Sequence, residues 1–160
     1  MKLRKGILFF LFISFSLSVL ATHQRAGEII YRHISGLTYE VTVITYTYSI
    51  SPADRCELEI IWGDGNTGII PRVNGEPGIT PGGFYCEHTG EIVDELIRKN
   101  VYQSQHTFAS AGDYLISVED PNRNYGVINI PNSVNIPLYV DTRLLINPFV
   151  GTNNSPQLLL

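Results

Sequence analysis

Positive charge is scarce in this chain, and its scarcity limits the partners that the chain can bind. The 160 residues include 11 Lys and Arg against 15 Asp and Glu, and the formal net charge is −4. Three basic residues, Lys2, Arg4 and Lys5, lie in the first 21 positions, which hold no acidic residue, so the remainder carries −7 with Lys99 as its only lysine. An acidic surface repels phosphate backbones, which argues against nucleic-acid binding.

Patterns that would indicate catalysis are also missing. The four histidines show neither the H-x-x-x-H nor the H-E-x-x-H spacing of helical zinc sites. No G-x-S-x-G turn presents a nucleophilic serine, and no glycine-rich loop is placed to hold a phosphate. We therefore expect no catalytic residue and interpret His106 as a structural residue that hydrogen-bonds a turn.

Long hydrophobic runs occur only at the N-terminus. The basic side chains of residues 1–6 precede an apolar run, 7–20, and Val19-Leu20-Ala21 fits the last three positions before a cleavage site. This pattern predicts a signal peptide over residues 1–21. An uncleaved membrane anchor is the alternative, but the run is short for a span of about 20 residues. We therefore expect an exported protein, extracellular or on the outer cell surface, with no transmembrane segment after cleavage.

The chain has only two cysteines, Cys56 and Cys86. An even count in an oxidising compartment favours a disulfide, with two free thiols as the alternative. The bond would close a loop of about 30 residues and stabilise the fold by roughly 3 kcal/mol in the loop-entropy description.

The chain is rich in short runs of β-branched and aromatic residues. About seven or eight such runs, separated by turn residues at intervals of about 10, predict an all-β fold, an antiparallel β-sandwich over residues 22–147. Strands are predicted at 24–34, 37–48, 58–62, 66–73, 114–120, 127–130 and 138–146, and residues 91–99 remain ambiguous between helix and strand.

Three segments depart from regular alternation. In 37–48 the apolar positions shift by one residue, which predicts a β-bulge near Val43–Thr45. Residues 74–90 are rich in Gly and Pro and predict a loop insertion. Residues 148–160 are interpreted as a linker followed by the truncated start of another segment, whose apolar end would belong to a fragment or to a strand completed by another chain.

Two motifs indicate the type of sandwich. Trp62-Gly63-Asp64-Gly65 ends one strand in an Asp turn between two glycines, and His106 begins an H-T-F-x-x-x-G-x-Y run that contains Gly112 and Tyr114. Tyr114 has the position of a tyrosine corner, in which the hydroxyl bonds back to nearby backbone. We expect Trp62 and Tyr114 to be buried in one core. Together the two motifs resemble the signature of PKD-type immunoglobulin-like domains.

Segments 22–29, 37–42, 51–55, 117–125 and 130–135 extend the likeness over nearly all of the chain after residue 21. In this order they resemble the N-terminal portion of large gliding motility-associated PKD-repeat proteins, which are exported to the cell surface with a type IX sorting domain. The resemblance implies a structural or adhesive module that contacts neighbouring domains, cell-surface proteins or glycans without catalysis. A carbohydrate-binding accessory module of a polysaccharide-processing system is the alternative, with Tyr46 and Tyr48, or Phe84 and Tyr85, as its aromatic platform.

Calcium is the one cofactor for which the sequence offers ligands. Oxygen-bearing side chains cluster after the strand that contains Tyr114, and one more follows Trp62. The candidates are Asp64, Glu119, Asp120, Asn122 and Asn124. Such ligands suit Ca²⁺, but the D-x-[DN]-x-[DN]-G spacing of a calcium loop is missing. We therefore favour side-chain caps of a turn over a metal site and expect no other cofactor.

Overall fold

Ten β-strands form the part of the chain that the computed structural model describes, residues 24–121, 123–149 and 151–156. The predicted signal peptide, Asn122 and the last four residues lie outside it. In chain order the strands are β1 (Gln24–Ser35), β2 (Thr38–Tyr48), β3 (Glu57–Ile61), β4 (Thr67–Pro71), β5 (Gly78–Ile79), β6 (Tyr85–Cys86), β7 (Glu91–Asp94), β8 (Ile97–Thr107), β9 (Gly112–Asp120) and β10 (Leu138–Ile146). One turn of 3-10 helix covers Ser133–Asn135.

Eight of these strands form two antiparallel sheets of four. The first sheet has the order β1-β2-β8-β7 and the second has the order β10-β9-β3-β4, while β5 and β6 pair with each other. If the eight strands are lettered A, B, C, C′, D, E, F and G along the chain, the sheets read A-B-E-D and G-F-C-C′. This is the strand order of immunoglobulin sandwiches that carry a C′ strand. The predicted all-β sandwich is confirmed.

The core lies between the two sheets and follows from the alternation along each strand. In β3, for example, Leu58 and Ile60 point inward and are buried, whereas Glu57 and Glu59 point to solvent. Burial of each large apolar side chain contributes about 1.5–3 kcal/mol. The buried cluster comprises Ile29, Tyr31, Tyr39, Val41, Val43, Leu58, Ile60, Trp62, Ile70, Tyr102, Phe108, Tyr114, Ile116, Val118, Leu144 and Ile146.

The β-bulge predicted near Val43–Thr45 is wrong. Buried and half-buried residues alternate without a break along β2, and its registers with β1 and β8 run in step through these positions. Thr45 and Thr47 take the inward positions because Asn100 of β8 donates its side-chain amide hydrogens to both hydroxyls, at 3.5 and 3.1 Å. The apolar phase shift in the sequence therefore marks a polar end of the core rather than a kink in the strand.

Three further segments differ from their sequence-based prediction or refine it. Residues 127–130 form turns instead of a strand, since Gly126 and Asn132 adopt left-handed conformations around them and Ile128 has no surface to cover it. The ambiguous residues 91–99 form β7, a turn at 95–96 and the start of β8. The 74–90 loop contains the short β5–β6 hairpin.

The C-terminal residues lie along the free edge of β1. Ser155 donates its backbone N–H to the Tyr31 carbonyl at 3.0 Å and accepts the Tyr31 N–H on its hydroxyl at 2.9 Å. The side chain of Asn154 accepts the His33 N–H at 2.7 Å. Residues 154–155 are thus packed on the sandwich rather than extended away from it. Among the described residues there is no helix long and apolar enough to cross a membrane.

Candidate functional site

The two sequence motifs meet at one end of the sandwich, which we call the aromatic end (Trp62, Asp64, His106, Phe108 and Tyr114). The His106 ring stacks on Trp62 with centroids 4.4 Å apart and contacts Phe108 edge-on at 4.7 Å. Its Nε2 lies 2.8 Å from a carboxylate oxygen of Asp64. Because the ring stacks on Trp62, contacts Phe108 and has one nitrogen bonded to Asp64, the geometry suits the structural role that the sequence suggests for His106.

The Asp turn after Trp62 explains why glycine stands at position 63. Gly63 has φ +81°, and a Cβ there would lie 2.6 Å from the backbone of Leu115, at the start of β9. Only glycine combines this conformation with so close an approach of two strands. Within the turn the Asp64 side chain accepts the Asn66 N–H at 3.0 Å, and Gly65 also has positive φ. The turn therefore brings the Asp64 carboxylate within hydrogen-bond distance of the His106 ring.

Tyr114 forms the predicted tyrosine corner. Its hydroxyl donates to the Ser110 carbonyl at 2.9 Å, four residues upstream, and its ring stacks on Phe108 with centroids 4.3 Å apart. The ring folds back over Gly112, where a Cβ would lie 3.0 Å from Cζ of Tyr114. Trp62 and Tyr114, 4% and 9% exposed, belong to one core, as expected.

The electrostatics of Asp64 agree with this arrangement. Partial burial of the carboxyl raises its pKa, but hydrogen bonds from His106 and Asn66 outweigh that effect and hold the pKa below the ordinary value. The carboxylate is thus charged and engaged near neutral pH, as a fixed partner of the His106 ring.

The opposite end of the interior is polar. Asp54 there binds two arginines, Arg72 at 2.7 Å and Arg98 at 2.6 Å, and all three side chains are nearly or fully enclosed. Burial lowers the pKa of the Arg72 guanidinium, but the hydrogen bond and charge of Asp54 more than compensate, so the pKa is raised. Burial also raises the pKa of the adjacent Tyr102 hydroxyl to about 12. Asp54, Arg72, Arg98 and Tyr102 form one group with the inward side chains Thr45, Thr47 and Asn100. We call these seven residues the polar end.

The polar end holds one short segment, residues 54–56, in place. Tyr102 donates its hydroxyl to the Arg55 carbonyl at 3.0 Å, and the Arg72 guanidinium donates to the same oxygen. The Arg72 backbone N–H bonds the Cys56 carbonyl at 2.8 Å. This segment leads directly into β3 and carries Cys56, so the polar end fixes the position of the first cysteine of the disulfide.

Cys56 and Cys86 form the predicted disulfide, with Cα atoms 5.4 Å apart. Cys86 is buried and ends β6, so the bond ties the 74–90 loop to the start of β3. At the base of the loop the Gly90 N–H bonds the Asn74 carbonyl at 2.9 Å, and a Cβ on Gly75 would collide with the Gly90 backbone. The loop is thus closed at its base and anchored near its tip.

Beside the disulfide lies a cleft of about 710 Å³, which we call the aromatic cleft. Two aromatic rings on the 74–90 loop, Phe84 and Tyr85, are 66% and 64% exposed. Facing them are outward residues of β3 and β4. The lining comprises Asp54, Arg55, Cys56, Glu57, Leu58, Glu59, Ile69, Phe84 and Tyr85. Of the two aromatic pairs proposed from the sequence, Phe84 and Tyr85 are exposed, whereas Tyr46 and Tyr48 are half-buried on β2.

The calcium candidates do not converge. Asp64 sits beside the start of β9 and Asp120 ends that strand, so about 15–20 Å of strand separates them. Asp120 is paired with Arg55 at 3.4 Å and accepts from Gln24 at 3.3 Å, and Glu119 is exposed. Asn124 bonds the Tyr125 carbonyl, and Asn122 lies outside the described residues. In the described ranges no three His, Cys, Asp or Glu side chains are grouped so as to hold a metal ion.

Sequence reasoning missed the ion cluster of Asp54, Arg72 and Arg98 and the acidic wall of the aromatic cleft. Asp54 and Arg98 lie 44 residues apart, and no local pattern connects them.

Comparison of the chain with protein-family models, with curated proteins and with solved structures finds no match in any of the three.

Proposed function

We propose that this chain is an exported, non-catalytic immunoglobulin-like module that mediates contacts with proteins at the cell surface. The exposed apolar surface of its second sheet is the observation that carries the proposal. Large side chains on the outer face and beside it remain 46–66% exposed: Ile61, Ile69, Phe84, Tyr85, Leu115, Tyr139 and Leu145. Apolar surface of this kind, rimmed by charged residues, is typical of protein interaction sites.

Two observations support export and a binding role. The disulfide suits an oxidising compartment and is uncommon in a reducing one. The described histidines all bond within the fold, His33 to Gly36, His88 to Gly75 and His106 to Asp64, which favours a scaffold over a catalytic centre. The strand order and the tyrosine corner are also those expected of a PKD-type domain, so we further propose membership in a gliding motility-associated cell-surface protein.

Retention of coated beads under flow tests this function. Beads carrying the secreted chain are passed over glass coated with surface protein, or with polysaccharide, from the producing cells. We expect retention on protein, reduced by Ile61→Asp/Ile69→Asp and unchanged by Ile128→Asp, a fully exposed residue in the β9–β10 connection rather than on a strand. The proposal would be contradicted if the parent chain and both variants were retained equally on protein-coated glass, or if the parent chain were not retained there at all.

Carbohydrate binding is a second candidate because Phe84 and Tyr85 are exposed side by side in a cleft with carboxylates. Sugar rings stack on such side chains, and carboxylates accept their hydroxyl groups. A glycan array separates the candidates. Binding to neutral glycans that is lost in Phe84→Ala/Tyr85→Ala, together with bead retention on polysaccharide alone, would favour this function over protein contact.

A further inference from the structure

The aromatic cleft presents apolar surface that a ligand would cover. Phe84 and Tyr85 form one wall, and Ile69, 56% exposed, lies on the opposite side. Covering these side chains would remove apolar area from water, the main favourable contribution to most protein association. The cleft therefore provides affinity without yet specifying the chemistry of its ligand.

The disulfide joins a segment that carries one exposed ring to a segment that carries one carboxylate, and both residues line the cleft. Tyr85 precedes Cys86 and Glu57 follows Cys56, so the bond brings the two neighbours together. The Cys56 sulfur lies 3.5 Å from the Tyr85 carbonyl oxygen. Because the segment of Cys56 is also held by the polar end, this arrangement exists before any ligand arrives, and preorganisation reduces the entropy lost on binding.

The charges around the cleft favour a cation. Glu57 and Glu59 alternate on the same outward face of β3, and neither has an ion-pair partner among the residues that the structure describes. Arg55, the basic residue in the lining, is paired with Asp120 at 3.4 Å, and Asp54 is held by Arg72 and Arg98 in a cluster of net charge +1, so Glu57 and Glu59 are the carboxylates of the lining that lack a cation in the described part of the chain and exceed that charge. The cleft thus combines two exposed rings with two unpaired carboxylates.

We propose that the aromatic cleft binds a basic, Lys- or Arg-containing segment of a partner protein. The cationic group lies over the face of Phe84 or Tyr85 and pairs with Glu57 and Glu59, while its aliphatic stem covers Ile69. A neutral glycan would leave the charge of the two carboxylates uncompensated, and an anionic one would be repelled. This inference rests on the proposed role in protein contact and specifies its partner.

Fluorescence anisotropy with a labelled octapeptide of alternating Gly and Arg tests the inference on the secreted chain. The matched peptide carries citrulline, which has nearly the shape of arginine without its charge. We expect the Arg peptide to bind about tenfold more tightly, with affinity falling at high salt. Glu57→Gln/Glu59→Gln and Phe84→Ala/Tyr85→Ala should each weaken it by about tenfold. Glu91→Gln and Tyr125→Ala, exposed elsewhere, should leave it unchanged.

Each contrary result overturns the inference. The citrulline peptide binding as tightly would exclude the cation, and control variants weakening binding equally would exclude the cleft. Binding of a neutral oligosaccharide in the cleft, with no peptide binding, would assign the rings to a glycan instead. If the peptide fails but beads are still retained on protein, the inference alone fails; if beads are not retained either, the proposed function fails with it.

Discussion

The two ends of the sandwich interior are built on the same strands but are held together differently. Along β2 the inward residues change from Val41 and Val43 to Thr45 and Thr47, and along β8 they change from Tyr102 to Asn100. The aromatic end is stabilised mainly by ring stacking and burial, and its long-range polar contact joins His106 to Asp64. The polar end is stabilised by buried ions and hydrogen bonds between residues far apart in the chain.

The two ends are stabilised differently because they hold different parts of the chain in place. The aromatic end joins β3, β8 and β9 and lies away from the aromatic cleft, and ring packing with the His106–Asp64 and Tyr114–Ser110 hydrogen bonds holds it together. The polar end must fix residues 54–56, an irregular segment whose carbonyl groups need donors. Arg72 and Tyr102 supply those donors and hold the base of the disulfide. A buried charge network is costly to assemble, but it specifies one arrangement of the segment that supports the cleft.

The strongest test of this comparison is removal of the shared carboxylate. Asp54→Ala leaves the buried Arg72 and the half-buried Arg98 without their counter-ion, and we expect the free energy of unfolding to fall by about 4–5 kcal/mol. Urea denaturation measures the loss. Asp113→Ala is the control, because Asp113 pairs with Arg143 on the exposed face and should matter little. Similar losses in the two variants would show that the buried ions are not what holds the polar end.

At the aromatic end the matching test is Trp62→Ala. Its neighbours are packed on several strands and cannot collapse into the space, so we expect a loss of about 3–5 kcal/mol through the cavity. Trp62→Phe, which keeps a ring against His106, should lose less. A urea midpoint unchanged from that of the parent protein would reject the placement of Trp62 in the core.

A smaller effect distinguishes polar from apolar packing within β2. Thr47→Val removes the nearer acceptor of the Asn100 amide and should cost about 1–2 kcal/mol. Replacing the whole set, Thr45→Val/Thr47→Val/Asn100→Leu, should recover most of that loss, because no buried donor is left without a partner. If thermal unfolding finds the triple variant less stable than the single one, Asn100 has a role beyond its bonds to the two threonines.

The smallest effect is the pH dependence at the aromatic end. Because the folded-state pKa of Asp64 lies below its ordinary value of 3.8, its stabilisation is present above about pH 4 and is lost as the pH falls through the folded-state pKa. Solvent screening keeps the contribution below about 1 kcal/mol. Urea midpoints of the parent protein and Asp64→Asn should therefore differ near neutral pH and converge toward pH 2. A difference that persists there would exclude the carboxylate charge as its cause.

The sequence alone determined those features that depend on near neighbours. Alternation in 58–62 and 138–146 predicted strands with the correct inward faces, and the position of Tyr114 two residues before the inward-facing Ile116 predicted the tyrosine corner. Both depend on backbone geometry over a few residues. The cysteine count and the predicted compartment indicated the disulfide. Where several backbone conformations suit a local pattern, as in residues 127–130, prediction failed.

The tertiary structure alone decided which distant groups meet. Whether Thr45 lies inside or outside depends on Asn100, and whether Asp54 is buried depends on Arg72 and Arg98, which no local pattern links to it. Tyr85 and Glu57 likewise line one cleft only because the disulfide joins two segments 30 residues apart. Hydrogen bonds and ion pairs act over a few ångströms in space, so their partners follow from the path of the folded chain and not from the order of its residues.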